Sequence, residues 1–181
     1  MNIGIFAVDP GGKTGVAWGI FDPGAPRGVR ESLRNKLRAG SDTIQGDERH
    51  QISQIANSWM EFYNLCVRQG QLPPQNVWLV VENFIYTGAS YSGKSAAIST
   101  SLIWGLEGYR MGRRDEWLKH KRGKSYFPQM YLQLAADAHQ FGTDELLKDT
   151  GLWIPGREHE RSAWRHVATF LNRYMIQKRA A

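Results

Sequence analysis

The chain has 181 residues, 41% of them apolar and 12% aromatic, enough to bury a substantial core without metal or disulfide cross-links. Its single cysteine, Cys66, excludes an intramolecular disulfide. No apolar run approaches the roughly 18 to 20 residues of a membrane span, and the formal net charge of +6 is compatible with a nucleic-acid partner. The first residues lack the basic start of a signal peptide. We therefore expect a single domain over residues 1–181 that acts in the cytoplasm.

The first half of the chain predicts a hairpin, a third strand, a helix and a buried strand. Residues 3–9 and 16–21 are β-type runs joined by a Pro-Gly-Gly turn, whose glycines are expected to supply positive φ. Residues 28–37 are predicted as a third strand. Apolar residues recur every three or four positions across 47–68, which predicts a helix. The continuous apolar run 77–81 predicts a central strand buried on both faces.

The second half predicts two long helices separated by an edge strand. Residues 95–110 form the first helix, and the basic stretch 110–124 is expected to follow as a loop. Residues 130–134 are typical of an edge strand, and Thr143 is suited to cap a short helix. Residues 158–177 carry the periodicity of the last helix. This order predicts an α/β fold, a mixed central sheet flanked by helices.

Two acids end the two most apolar strands. Asp9 follows the first strand, and Glu82 follows the predicted central strand. Carboxylates brought together at strand ends repel each other unless a cation neutralises them, and Mg²⁺ prefers such oxygen ligands. A pair of ions about 4 Å apart activates water and stabilises the leaving oxygen in phosphodiester hydrolysis. Asp9 alone, before Pro-Gly-Gly, is ordinary turn chemistry, but the two acids together favour a metal site.

Several segments, in order, resemble the RuvC-like Holliday junction resolvases. The first is Ile5-Phe6-Ala7-Val8-Asp9-Pro10-Gly11 with Thr14-Gly15, and the second is Val80-Val81-Glu82-Asn83-Phe84. The segments 94–105, 143–153 and 159–166 are similar to later parts of phage-type members. The resemblance implies an RNase H-like fold, two Mg²⁺ or Mn²⁺ ions per site, branched DNA as substrate and a homodimer formed through the second helix. It also implies metal-binding and catalytic roles for Asp9, Glu82 and His159.

The last motif departs from the family pattern. The family has an acid or histidine, two further residues, then Asp; here His159 matches the first position, but Ser162 stands where the second carboxylate is expected. Serine is a weak, neutral ligand and does not replace that charge. His159, Ser162 and His166 share one helix face, and Glu160 is offset from it, so Glu160 or His166 is available to compensate. Weak metal binding, a catalytically degenerate protein and an inactivating substitution all stay open.

A larger set of residues is suited to contact DNA. Basic side chains near the acids or in the stretch 110–124 fit phosphate contacts, although solvated lysines are equally typical of turns. Aromatic residues after Glu82 fit stacking on unpaired bases, worth about 1 to 3 kcal/mol per base, with core packing or a dimer contact as the alternative. The candidates are Lys13, Phe84, Tyr86, Tyr91, Lys94, Arg113, Arg114, Lys121, Arg122 and His139.

Three other interpretations compete with a junction endonuclease. A non-cleaving relative that binds branched nucleic acid is favoured by Ser162. An actin-like or sugar-kinase protein is suggested by residues 9–15, but such proteins need a second phosphate loop, which this chain lacks. RNase H and transposases share the expected fold, so the third interpretation is a nuclease that acts on an RNA–DNA hybrid. If the phage likeness holds, the compartment is the cytoplasm of a bacterial host.

Overall fold

The computed structural model describes residues 1–69, 72–83, 94–119 and 129–180. One mixed sheet contains β1 (Ile3–Asp9), β2 (Thr14–Phe21), β3 (Arg38–Ile44), β4 (Val77–Asn83) and β5 (Gln129–Leu134). The helices are α1 (Val29–Arg34), α2 (Glu48–Asn64), α3 (Lys94–Lys119), α4 (Ala135–Phe141), α5 (Asp144–Asp149) and α6 (Glu158–Ala180). A π-helical turn (Leu65–Gln69) follows α2, and a 3₁₀ turn (Pro74–Asn76) leads into β4. No helix in these ranges is both long and apolar enough to cross a bilayer.

The strand order places the two acidic strand ends side by side. The order across the sheet is β3-β2-β1-β4-β5, with β1 antiparallel to β2 and parallel to β4. Val8 of β1 lies opposite Val81 of β4. Because the two strands run in the same direction, the next residues along them, Asp9 and Glu82, end at the same edge of the sheet. The predicted mixed sheet with flanking helices is confirmed.

Helices cover both faces of the sheet, so its central strands are buried on both sides. Alternate residues of β1 enter different cores: Ile5 and Ala7 pack with α6, and Phe6 and Val8 pack with α2 and α3. The α6 core includes Val167, Ala168, Phe170 and Leu171, and the opposite core includes Ile55, Trp59, Leu102 and Leu106. The start of α6 therefore lies over the edge of the sheet that carries the acids.

The first hairpin forms as predicted, but its glycines do not take the expected conformation. Among the described residues, none of the glycines between Asp9 and Val16 has positive φ; those that do are Gly28, Gly46, Gly151 and Gly156. Side chains shape the turn instead. The buried Thr14 hydroxyl donates to Gln51 Oε1 at 2.5 Å, and Gln51 Nε2 donates to the Gly12 carbonyl at 3.2 Å. A side chain of α2 thus fixes the turn after Asp9.

The prediction of a strand over residues 28–37 is wrong. That segment contains α1, and the third strand follows it as β3. The spacing of the buried residues Val29, Ser32 and Leu33 explains the helix, because positions i, i+3 and i+4 share one helix face. No alternation of buried apolar residues predicts β3, because only Ile44, its last residue, is buried.

Boundaries in the second half agree with the predictions except around α3 and α4. The strand β5 and the helix α6 form where expected, and the Thr143 hydroxyl accepts from Leu146 N to cap α5. The stretch 110–124 is not a loop throughout, because α3 continues to Lys119; residues 120–124 lie outside the described ranges. α4 was not predicted, although its three alanines favour a helix.

Candidate active site

Two carboxyl groups meet at the edge where β1 and β4 end. The Asp9 and Glu82 side chains lie close enough for the charge of Glu82 to act on Asp9, and they are 15% and 12% exposed. The structure thus brings together the two acids that the sequence predicted as neighbours. Their proximity follows directly from the parallel register of the two strands.

Burial makes it costly for both groups to be ionised. Desolvation raises the pKa of Asp9 to about 7, and the hydrogen bond to Glu82 and its charge act in the same direction. Desolvation also raises the pKa of Glu82. A pKa of about 7 leaves Asp9 partly protonated near neutral pH, so the pair does not carry two full negative charges there. A cation bound between the carboxylates would remove the repulsion that holds this proton.

His166 reaches the same pair from α6. Its Nε2 lies 3.0 Å from Glu82 Oε2, and its side chain is only 1% exposed. Burial lowers the pKa of His166 to about 4, an effect that the Asp9 charge opposes and the Arg165 charge reinforces. The ring is therefore neutral at physiological pH. The sequence offered one signal for this contact, the shared helix face with His159 and Ser162.

His159, the first residue of the last motif, lies on the more open side of the pair. Its Nδ1 is 3.8 Å from Asp9 Oδ2, and 43% of its side chain is exposed. Its position depends on Gly15, which pairs with Asp9 across the hairpin. A methyl group on the Gly15 Cα would overlap the carbonyl oxygen of His159. Absence of a side chain at Gly15 therefore lets the backbone of α6 approach Asp9.

We predict that Gly15→Ala displaces the start of α6, because the added carbon meets backbone atoms that have no rotamer to change. Overpacking of this kind costs about 1 to 3 kcal/mol in the free energy of unfolding. Urea denaturation measures the loss. Gly12→Ala is the matched control, since nothing lies within 4 Å of a methyl group there. Equal stability of the two variants would contradict the prediction.

Comparison with solved structures identifies the architecture. The Thermus thermophilus RuvC structure superposes with a TM-score of 0.56 over 98% of this chain and 97% of that one, at 10% sequence identity. T. thermophilus RuvC in complex with Holliday junction substrate superposes with a TM-score of 0.53, covering 96% of each chain at 10% identity. The fold is RuvC-like. No family model matches the sequence, and no curated protein matches it significantly.

Ser162 and Glu160 both lie on α6, but only the Glu160 side chain is fully buried, against β3. Ser162 is half-buried on α6, between the turns that carry His159 and His166. Glu160 is 1% exposed and points to β3, where Oε2 accepts from Ser41 at 2.6 Å and Oε1 accepts from Thr43 at 3.2 Å. Arg157 donates to Glu160 Oε1 at 3.0 Å. Glu160 was a candidate metal ligand in place of Ser162, but these contacts occupy its carboxylate, which binds α6 to β3.

The chemistry of the remaining donors fits a divalent cation. Two buried carboxylates at one strand edge supply oxygen ligands of the kind that Mg²⁺ and Mn²⁺ prefer. The raised pKa values of both groups reflect the cost of placing negative charge there, and a bound cation would reduce that cost. Across the part of the chain that the structure describes, no three acidic, histidine or cysteine side chains already stand as a metal-binding cluster. The fit therefore rests on the Asp9–Glu82 pair.

Two candidate DNA contacts, Lys13 and His139, belong to elements near this pair. Lys13 is exposed on the turn after Asp9, and the buried Ser99 hydroxyl of α3 donates to the Pro10 carbonyl at 2.9 Å, which ties α3 to that turn. His139 is exposed on α4 and close enough to be affected by the site. Partial desolvation lowers its pKa, with the charges of Arg165 and His166 acting in the same direction and Asp9 in the opposite one.

The other candidate contacts are not placed by side-chain geometry. Lys94, Arg113 and Arg114 belong to α3, but their side chains lie outside what the structure describes. Phe84, Tyr86, Tyr91, Lys121 and Arg122 lie outside the described residues altogether. Of the basic stretch, Arg110 is described, and its guanidinium pairs with Glu107 one turn earlier.

Proposed function

We propose that this protein is a metal-dependent, structure-selective DNA endonuclease that hydrolyses phosphodiester bonds in Holliday junctions or other branched DNA. The observation that carries the proposal is the buried Asp9–Glu82 pair at the strand edge of a RuvC-like fold. The similar T. thermophilus protein is described in complex with a Holliday junction substrate, which supports the substrate class. We further propose that residues 1–181 act as one nuclease domain.

Each residue of the site has a separable task in this proposal. Asp9 and Glu82 bind Mg²⁺ or Mn²⁺, two ions per site, and His159 lies beside Asp9 as a further ligand or as a base. When bound, the cations lower the pKa of water and stabilise the departing oxygen. The ring of His159 is exposed to solvent, where a base can pass on a proton. The carboxyl groups of Asp9 and Glu82 are largely buried.

The surroundings of the site supply candidate contacts to DNA and to a second subunit. Lys13 and His139 lie on the two elements that flank the acids, where positive or neutral polar groups suit phosphate oxygens. The α3 helix, which starts against the turn after Asp9, exposes Trp104 by 70% and Met111 by 38%. Contiguous exposed apolar patches mark interaction surfaces, and Trp104 and Met111, seven residues apart, lie on one face of α3. We propose that this face of α3 forms a two-fold homodimer, so that two sites act on one junction.

A catalytically degenerate protein that binds branched nucleic acid is the second candidate. The observation that favours it is Ser162, a neutral residue at the position where the resemblance predicts a carboxylate. Such a protein keeps the fold and its contacts to DNA and loses the cation. Binding without cleavage distinguishes it from the endonuclease.

The deciding experiment compares a labelled four-way junction with a linear duplex and an RNA–DNA hybrid, each in Mg²⁺, Mn²⁺ or EDTA. Paired nicks confined to the junction and abolished by EDTA support the endonuclease. Tight junction binding with no nicking in either metal supports the degenerate protein. Cleavage of the hybrid alone overturns the junction proposal in favour of an RNase H-type substrate.

Ser162→Asp tests the one position where the site departs from the family pattern. We expect the added carboxylate to raise affinity for Mg²⁺, and, because a bound cation contributes several kcal/mol of transition-state stabilisation, to raise the nicking rate by about tenfold or more. Ser162→Asn, similar in size but neutral, is the matched control. Calorimetry with Mg²⁺ and single-turnover nicking provide the measurements. Equal values for the Asp and Asn variants would show that a charge at this position is not what the site lacks.

A further inference from the structure

His166 contacts Glu82 but has no role in the proposed chemistry of Asp9, Glu82 and His159. It lies on α6 between the buried residues Ala163 and Val167, and its own ring is buried. One ring nitrogen, Nε2, lies 3.0 Å from Glu82 Oε2. The other, Nδ1, has no hydrogen-bond partner among the described residues. A buried polar atom without a partner is costly, so the contact with Glu82 has to offset that cost for the ring to remain there.

The direction of the hydrogen bond follows from the chemistry of the acceptor. An ionised carboxylate has no proton to donate, so Nε2 carries the hydrogen whenever Glu82 is charged. Nδ1 is then the nitrogen without a proton. With Nε2 bonded to Oε2, the ring binds the carboxylate, and the remaining lone pairs of Glu82 are free to face Asp9.

We propose that His166 is a positioning residue that donates Nε2–H to Glu82 and fixes this carboxylate in the orientation that binds a divalent cation together with Asp9. The inference rests on the proposed function only for the cation. The neutral side chain of Ser162 makes the orientation of the two carboxylates more important for cation binding. With a neutral residue one turn earlier on α6, the two remaining carboxylates bind the cation with less charge, and their orientation has to be held by other means.

The effect of removing such a group is large enough to measure. Groups that hydrogen-bond to metal ligands change metal affinity by about 10- to 100-fold when they are removed. His166→Leu removes the donor and keeps an apolar side chain in the buried space. His166→Gln keeps an N–H donor near the position of Nε2. Thr169→Val is the matched control, because Thr169 is also buried on α6 and its hydroxyl has no partner among the described residues.

The measurement is calorimetric titration of Mn²⁺ into the metal-free protein in the absence of DNA. We expect His166→Leu to weaken Mn²⁺ binding by about 10- to 100-fold, and His166→Gln and Thr169→Val to remain within a few-fold of the unaltered protein. Unchanged affinity in His166→Leu overturns the proposal. Equal losses in the Leu and Gln variants overturn it as well, because the N–H donor would then not be the feature that matters.

A second measurement holds even where His166→Leu does not fold. In the unaltered protein with Mg²⁺, ¹⁵N NMR of the histidine rings distinguishes the two neutral tautomers. We expect the proton of His166 on Nε2, and a proton on Nδ1 overturns the proposal. Neither measurement involves DNA. A protein that shows the His166 effect but leaves every junction intact contradicts the endonuclease alone, whereas failure of the unaltered protein to bind either cation overturns this inference.

Discussion

Asp9→Asn and Glu82→Gln are each expected to abolish nicking of a four-way junction while leaving its binding nearly unchanged. Each substitution removes a charge from the pair at the ends of β1 and β4 and keeps the shape of the side chain. A bound cation contributes several kcal/mol of transition-state stabilisation, which corresponds to about 10³-fold or more in rate. Junction affinity depends mainly on contacts to phosphates, so we expect it to change by only a few-fold.

Single-turnover nicking and gel-shift titration of the same labelled junction measure the two effects. Glu61→Gln is the control, since Glu61 is an exposed acid on α2 that makes no described contact with the pair. Near-normal nicking by both site variants would place the active site elsewhere in the molecule. A parallel loss of binding and nicking would instead show that the acids support the structure that binds DNA.

The unaltered metal-free protein is expected to lose stability relative to Asp9→Asn as the pH rises from about 4 to about 7. Burial raises the pKa of Asp9 from 3.8 to about 7, so between these values this residue binds more protons in the folded state than in the unfolded state. Its contribution to the free energy of unfolding therefore falls as the pH rises through this range. The lowered pKa of His166 acts in the opposite direction over much of the same range, so the comparison with Asp9→Asn isolates the contribution of Asp9. A shift of about three units sets an upper limit of about 4 kcal/mol on the effect above pH 7.

Urea denaturation in EDTA at pH 5 and pH 8 measures this dependence. At pH 8 we expect Asp9→Asn to be more stable than the unaltered protein, and at pH 5 we expect the difference to be small. Mg²⁺ at pH 8 should restore stability to the unaltered protein and much less to the variant, because ligand binding to the folded state adds to its stability. An equal pH dependence in the unaltered protein and in Asp9→Asn would assign it to other groups.

The sequence was sufficient for the parts of the fold and site that depend on local patterns. Apolar strands that end in an acid predicted Asp9 and Glu82, and helical periodicity predicted α2 and α6 close to their observed bounds. Once the two strands are parallel neighbours, their ends must meet. The adjacency of the carboxyl groups thus follows from two local patterns and one rule of sheet topology.

The remaining features depend on how α6 lies on the sheet, which no local pattern specifies. The hydrogen bond between His166 and Glu82 joins residues far apart in sequence. No local pattern around either residue predicts the other as its partner. The same holds for the contact of Gly15 with the His159 backbone and for the bonds from Glu160 to β3. Glu160 was therefore available as a candidate ligand until the structure showed its partners.

The division of the site between distant parts of the chain also affects when it can form during synthesis. The carboxylates belong to β1 and β4, whereas both histidines belong to α6, the last helix to be made. At about 5 to 20 residues per second, a ribosome translates the stretch from Glu82 to α6 over several seconds. During that interval the emerging chain holds two acids without their histidines. The proposed nuclease activity should therefore begin only after α6 has docked, and a message that ends before α6 should yield a product without it.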